Sequence, residues 1–323
     1  LRITLTCGLL LLCLASLLFG ARPDVGLPEL GLWLRGANPK DAATIVLHEM
    51  RLPRTLVAVL AGGALGVAGT TIQALARNPL ADPGLLGLNA GAAFAIVVTV
   101  YVLGPLPAVA LAVPAAVGAG IAALCVTSIG AMSSNPVTLV LAGAALTALL
   151  NAALRGLILL DPLALDAYRH WALGAVDQTG FATLAVGACC ALTGLALALL
   201  VARWLDVLAL GSDTALALGA RVGRIRLAGL LATTLLSAAA VMVAGPIAFI
   251  GLLAPHMARM TGAARNSAIM MRAGICGAAL LLVADIAGRL VFPGLVIEAG
   301  LGVTLIGGPA MVWLVRRQAQ GLK

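Results

Sequence analysis

Charge is scarce in this sequence. Of 323 residues only 10% are Asp, Glu, Lys or Arg, and lysine occurs just twice, at Lys40 and Lys323. A water-soluble fold of this size needs far more charge on its surface. An ordinary soluble enzyme, a disordered chain and a nucleic-acid module are therefore excluded. Aromatic residues make up 3%, too few for the girdles of an outer-membrane barrel. Neither lysine lies in a Gly-rich loop, so there is no Walker A sequence and no ATP hydrolysis by that route. His48, His170 and His256 are scattered. Cys7, Cys13, Cys125, Cys189, Cys190 and Cys276 lie in apolar runs without metal-ligand spacing and read as small buried hydrophobes. The expectation is a chain with no cofactor or metal of its own.

What is abundant is apolar. Hydrophobic residues make up 62% and glycine contributes 38 residues, with a mean hydropathy of +1.11. This is the composition of an integral membrane protein of closely packed helices. The expected fold is all-α and polytopic, one transmembrane domain over residues 1–323. About ten crossings are bracketed by charge and by Pro/Gly punctuation: Ile3–Ala21, Thr55–Ala76, Gly84–Leu103, Ala108–Gly130, Val137–Leu160, Gln178–Val201, Leu227–Ala244, Ile247–Gly262, Met270–Gly288 and Ala299–Val315. The first is read as a span and not a signal peptide, for want of a small-x-small cleavage site. The chain opens on Leu1 instead of Met, which leaves room for residues before it.

The formal net charge is +8. With both termini cytoplasmic, twelve of the twenty basic residues fall inside, clearest at Arg221–Arg226 and Arg316-Arg317. The basic residues left outside gather mostly between Arg22 and Arg54, an exception that asks for its own explanation. Ala58, Gly62, Gly66 and Thr70 recur every four residues and form a face for close helix approach. Only Arg155, Asp285 and Arg289 enter the spans appreciably; Asp285 and Arg289, four apart, fit an ion pair over one helical turn. So few intramembrane charges argue against a proton-coupled carrier and against an intramembrane enzyme.

Three polar segments remain: Arg51-Leu-Pro-Arg-Thr-Leu56; Gln73 with Arg77-Asn-Pro-Leu-Ala-Asp-Pro-Gly-Leu-Leu-Gly87; and Gly211-Ser-Asp-Thr-Ala215 with Leu218 and Gly219. With Gly245-Pro-Ile-Ala-Phe-Ile-Gly-Leu-Leu-Ala-Pro-His256 and Ile306-Gly-Gly-Pro309 they make the chain resemble the FecCD family over nearly its whole length. These are the permeases of type II ABC importers for ferric siderophores, haem and cobalamin. Gly211-Ser-Asp-Thr-Ala215 and Pro255-His-Met-Ala-Arg259 are most similar to the ferric-enterobactin branch. Gly294-Leu-Val-Ile-Glu-Ala-Gly300 departs from the acid-Leu-Pro-Val-Gly stretch usual there.

The resemblance implies a permease in the bacterial cytoplasmic membrane that imports a ferric siderophore, with haem or cobalamin as alternative cargo. It implies a second permease subunit, a paralogue in preference to an identical copy. It also implies two copies of an ABC ATPase that uses ATP and Mg, and a periplasmic or lipid-anchored binding protein; nucleic acid has no place. Arg51, Arg54 and Arg289 match arginines that dock the binding protein; the plainer alternatives are snorkelling anchors and, for Arg289, a partner for Asp285. Gly211, Ser212, Asp213, Ala215, Leu218 and Gly219, within a segment at about 206–224, match the coupling helices that seat on the ATPase, against a simple linker. Asn78 and Leu80 match an inner gate, with Asn135 and Pro136 near a second constriction, against plain Asn-Pro helix stops. The rival from another class is a stand-alone secondary transporter.

Overall fold

The computed structural model describes residues 2–20, 25–36, 41–131, 136–177, 179–290 and 297–321, and these are all helix, turn or connection, with no strand among them. In chain order the helices are α1 (Arg2–Leu18), α2 (Leu27–Leu34), α3 (Ala42–Ile45), α4 (Leu52–Ala76), α5 (Leu88–Leu103), α6 (Ala108–Ala131), α7 (Pro136–Leu160), α8 (Pro162–Ala172), α9 (Phe181–Ala209), α10 (Ser212–Ala217), α11 (Val222–Ala244), α12 (Ile250–Met260), α13 (Asn266–Leu290) and α14 (Ala299–Gly321). A π-helical turn, Val46–Arg51, leads into α4, and a 3₁₀ turn, Pro83–Leu86, leads into α5. Six stretches are long and apolar enough to cross a membrane, and α1, α5 and α14 supply shorter apolar helices. This is a multi-pass membrane protein.

α4 is the hub, packed against α13, α11, α9 and α12. The small-residue face explains how. A Cβ on Gly62 would strike the Gly277 carbonyl, one on Gly66 the Ala273 carbonyl, and one on Gly69 the backbone of Gly251. Lipid tails are as apolar as leucine, so helices in a bilayer gain from close backbone approach and not from hiding hydrophobic surface. Hydroxyls inside the bundle are satisfied locally: Thr70 and Thr71 donate to the Gly66 and Val67 carbonyls, Thr233 and Thr234 to those of Gly229 and Leu230. Large apolar side chains face outward along α1, α7 and α14. The cysteines correct the sequence expectation: Cys276 is buried, but Cys7, Cys125 and Cys189 lie on the bundle surface. In lipid that costs a thiol little.

The eighth expected crossing, Ile247–Gly262, is not a full-length helix. α11 stops at Gly245, whose φ of 70° ends it; Pro246 has no N–H to continue the ladder. The chain then runs unwound to Phe249, so only Ile250–Met260 is helical. Opposite, the connection after α4 turns back into the bundle: Leu85 lies against Gly143, in the middle portion of α7, and Pro83 against Gly251. Two broken segments thus meet inside the protein. Irregular backbone is tolerated at that depth only when protein encloses it.

Replacing Gly66 by Val should destabilise the bundle by about 1–3 kcal/mol, the usual penalty of overpacking, because the obstruction is backbone that cannot turn aside. Thermal unfolding of purified protein in detergent tests this; an unchanged midpoint would show that α4 and α13 can separate freely.

Candidate functional site

At the end of the bundle where α4 begins, the sequence places arginines at positions 51, 54 and 289, and all three turn inward. The Asp285 carboxylate, 0% exposed, sits between two of them. Arg54 donates through Nε to Asp285 Oδ1 at 2.8 Å, and Arg289 Nη2 lies 2.8 Å from Oδ2. The expected pair over one turn of α13 is present, with Arg54 as a second cation. Arg54 Nη1 reaches Asp177, in the connection between α8 and α9, at 3.2 Å.

Arg51 and Arg289 also hold the end of α1. Arg51 is 4% exposed, and its Nη1 donates to the carbonyls of Leu17, Leu18 and Val25 at 2.7, 2.8 and 3.1 Å. Arg289 donates to the carbonyls of Ser16 and Phe19 and to the Ser16 hydroxyl. The last carbonyls of a helix lack intrahelical partners and carry its negative dipole end, so guanidinium groups there cap it chemically and electrostatically. Of the acidic and basic groups in this cluster, Asp177 is the one that meets solvent, its side chain 34% exposed. Glu298, just before α14, lies near it; burial and the Asp177 carboxylate push its acid up, against a downward pull from Arg54. Asp177 and Ser16 were not legible as site residues, since no spacing marks either one.

At the opposite end, α10 stands between Gly211 and Gly219, whose φ values of 117° and 79° allow its two sharp turns. Ser212 Oγ accepts from Arg77 Nη2 at 2.8 Å and from Arg226 Nη2 at 3.4 Å. Asp213, Leu216, Leu218 and Gly219 are exposed. Ala215 is fully buried against its own chain. Asn78 and Leu80 follow directly on Arg77, and the Asn78 side chain accepts the Leu80 amide at 2.9 Å, closing a tight turn with Leu80 exposed. Asn135 lies outside the described residues, and Pro136 is placed only as the first residue of α7. Nearby, Gln73 joins α4 to α12: its Oε1 accepts from Arg259 at 2.8 Å and its Nε2 donates to the Gly251 carbonyl at 3.3 Å.

Between the two ends, Asp82 caps the 3₁₀ turn by accepting from Gly84 N at 2.7 Å. It borders a void of about 10 Å³ shared with Asn89, Ser237 and Gly251, room for about one water. A larger cavity of about 310 Å³ opens under α8, lined by Leu163, Asp166, His170, Trp171, Thr179 and Thr183 among others. Among the described residues, no group of three His, Cys, Asp or Glu is placed to hold a metal. The geometry offers a charged platform at one end, a short helix with exposed leucines at the other and broken backbone between them.

The FecCD transport family matches residues 8–317. The chain belongs to that family. Among FecCD relatives, the ferric enterobactin transport system permease protein of Escherichia coli K12 is 45% identical, covering 97% of this chain and 95% of its own. The hemin transport system permease protein of Yersinia pestis is 38% identical over 97% and 96% of the two chains. The iron(3+)-hydroxamate import system permease protein of Bacillus subtilis 168 is 36% identical over 99% and 84%. A chain solved in an inward-facing conformation, of the metal-chelate type of ABC transporter, superposes with a TM-score of 0.86 at 24% identity over 98% of both chains. The fold is that of an ABC importer permease.

Replacing Asp285 by Asn leaves two buried guanidinium groups without a counter-charge. The loss should be about 3–5 kcal/mol, as for other broken buried pairs, read as a lower unfolding midpoint in detergent. A midpoint equal to wild type would mean the arginines find other partners.

Proposed function

We propose that this chain is the permease subunit of an ATP-driven importer that carries a ferric siderophore across the bacterial cytoplasmic membrane, with both termini inside. The observation that carries this reading is 45% identity, over 97% of the chain, to the ferric enterobactin permease. The 38% identical hemin permease supports haem as the second reading of the cargo. The chain is one transmembrane domain whose segment at about 206–224 meets the ATPase. A paralogous permease packs beside it, two ABC ATPases hydrolyse ATP with Mg below, and a periplasmic or lipid-anchored binding protein delivers cargo above. The permease itself holds no cofactor.

Each role has a physical support. Leu216 and Leu218 point outward beside the charged Asp213 at an end otherwise rich in arginine, a pattern suited to a groove on a protein partner. The Asn78–Leu80 turn is joined through Arg77 to the same α10, so a gate there lies within reach of a push on that helix. For docking, Arg54 is the suited member of the three arginines. Arg51 and Arg289 stiffen the platform by holding α1, whereas the second hand of Arg54 rests on half-exposed Asp177, which a binding-protein carboxylate can replace.

In sealed vesicles, uptake of iron-loaded siderophore should require the ATPase and the binding protein, and uphill uptake by this chain alone would sink the reading in favour of a secondary transporter. Arg54→Glu should weaken binding-protein docking roughly a hundredfold. Asp177→Asn, which removes the competing carboxylate, should strengthen it roughly threefold; weaker docking there would show Asp177 to be a support. Leu216→Asp with Leu218→Asp should leave binding-protein docking intact and abolish ATP-driven uptake.

A further inference from the structure

The connection between α1 and α4 holds the basic residues that the inside–outside charge count leaves unexplained, and the transport reading uses only its last turn. Its helix α2 reads Leu-Pro-Glu-Leu-Gly-Leu-Trp-Leu. One edge is fixed: Leu30 joins Val25 and Leu47 in a small apolar core separate from the main one, with Leu18 and Trp33 packed on it. Another edge is bare. Leu27 and Leu34 are 66% and 71% exposed, and seven residues apart they stand in one row of the helix. The acidic residue is spent on capping, since Glu29 accepts the Gly26 amide at 2.8 Å. Two leucines held in water forgo the gain of burial.

Two apolar helices stand beside this row. α1 ends at Leu18, which packs into the same small core as α2. Its 17 residues span about 26 Å, and its Ile3, Leu10, Leu11 and Leu14 side chains are bare, an apolar surface suited to lipid. Independently, the Trp33 ring meets His48 edge-on at 6.5 Å, and His48 lies 5.5 Å from the ring of Phe181, the first residue of α9. α9 is long and apolar enough to cross a membrane, so α2 stands at the end of a crossing stretch, where tryptophan is favoured. Arg35 closes the helix and is exposed, a cation of the kind that lipid phosphates attract.

We propose that α2 is an interfacial anchor, lying in the headgroup layer at the Arg54 end with Leu27 and Leu34 among the acyl chains. The partner is a lipid surface. The inference is independent of the cargo and of the ATPase, and it stands or falls apart from the transport reading.

The test uses the full chain in nanodiscs of phosphatidylethanolamine and phosphatidylglycerol, with its six native cysteines replaced and a nitroxide at Leu27→Cys, Leu34→Cys or Asp41→Cys. Molecular oxygen concentrates in lipid and the nickel complex of ethylenediaminediacetate stays in water. Oxygen collisions should exceed nickel collisions at positions 27 and 34, with the ratio inverted at 41. Nickel collisions at 27 and 34 equal to those at 41 would overturn the proposal, and so would protection from both reagents, which marks a protein cover. Where the cysteine-free chain does not fold, the same nanodiscs with brominated lipid and Trp171, Trp204 and Trp313 changed to Phe put the question to Trp33. Quenching by bromine near the headgroup supports the anchor, and the absence of quenching overturns it.

Discussion

The carboxylate of Asp285 has no water to turn to, and much of the architecture at its end of the bundle follows from that. A lone buried anion costs several kcal/mol even after relaxation. The chain meets this with Arg54 from α4 and Arg289 from α13, at 2.8 Å each. Bringing those cations in creates surplus positive charge and spare donors. These are spent on the exposed carbonyls of α1 and on Asp177. One anion thereby ties α1, α4, α13 and a surface connection together, and the α1 end carbonyls would otherwise lack these partners. The pair is better understood as a register pin than as a source of stability, since a well-packed apolar substitute is often as stable as a buried ion pair.

The same shortage of water governs the interior. Threonines return their hydroxyls to their own helix, Gln73 uses both ends of its amide between α4 and α12, and glycines let carbonyls approach where side chains would block them. The broken segments around Gly245 and Asp82 obey this rule too. Unwound backbone survives there because the two segments cover one another, Pro83 and Asp82 lying against Gly251.

Much of the helix pattern was legible in the sequence because apolar length and punctuation are strong signals in lipid. The ends of α5, α6 and α7 fall within about four residues of expectation. The eighth span misled because Ile247 and Ala248 are apolar enough to read as helix, while the Gly245-Pro246 break moves the helical start to Ile250. α2, α8 and α10 escaped a search for long apolar runs since each is 11 residues or shorter. At the site, the Asp285–Arg289 pair follows from spacing alone. Arg54 as second partner and the burial of Arg51 do not, for they depend on which helices α4 and α1 meet, a fact of tertiary packing that spacing does not encode.

The two ends of the bundle hold their arginines in different ways, and the difference fixes where motion costs least. At the Arg54 end Arg54 and Arg289 are largely buried and paired with Asp285, and separating a buried pair costs about 3–5 kcal/mol. At the α10 end, Arg77 and Arg226 share a neutral hydroxyl, that of Ser212, and the Arg77 contact is open to solvent. An exposed bond of this kind contributes on the order of 1 kcal/mol. A force applied to α10 therefore meets soft contacts first, and Arg77 is joined through the backbone to Asn78. Under the proposed coupling role, a displacement of α10 would reach the Asn78–Leu80 turn before the pinned end. Rigidity beside the charged platform and compliance beside α10 are thus written into one sequence by a single choice, whether an arginine is given a carboxylate in the dark or a hydroxyl in the light.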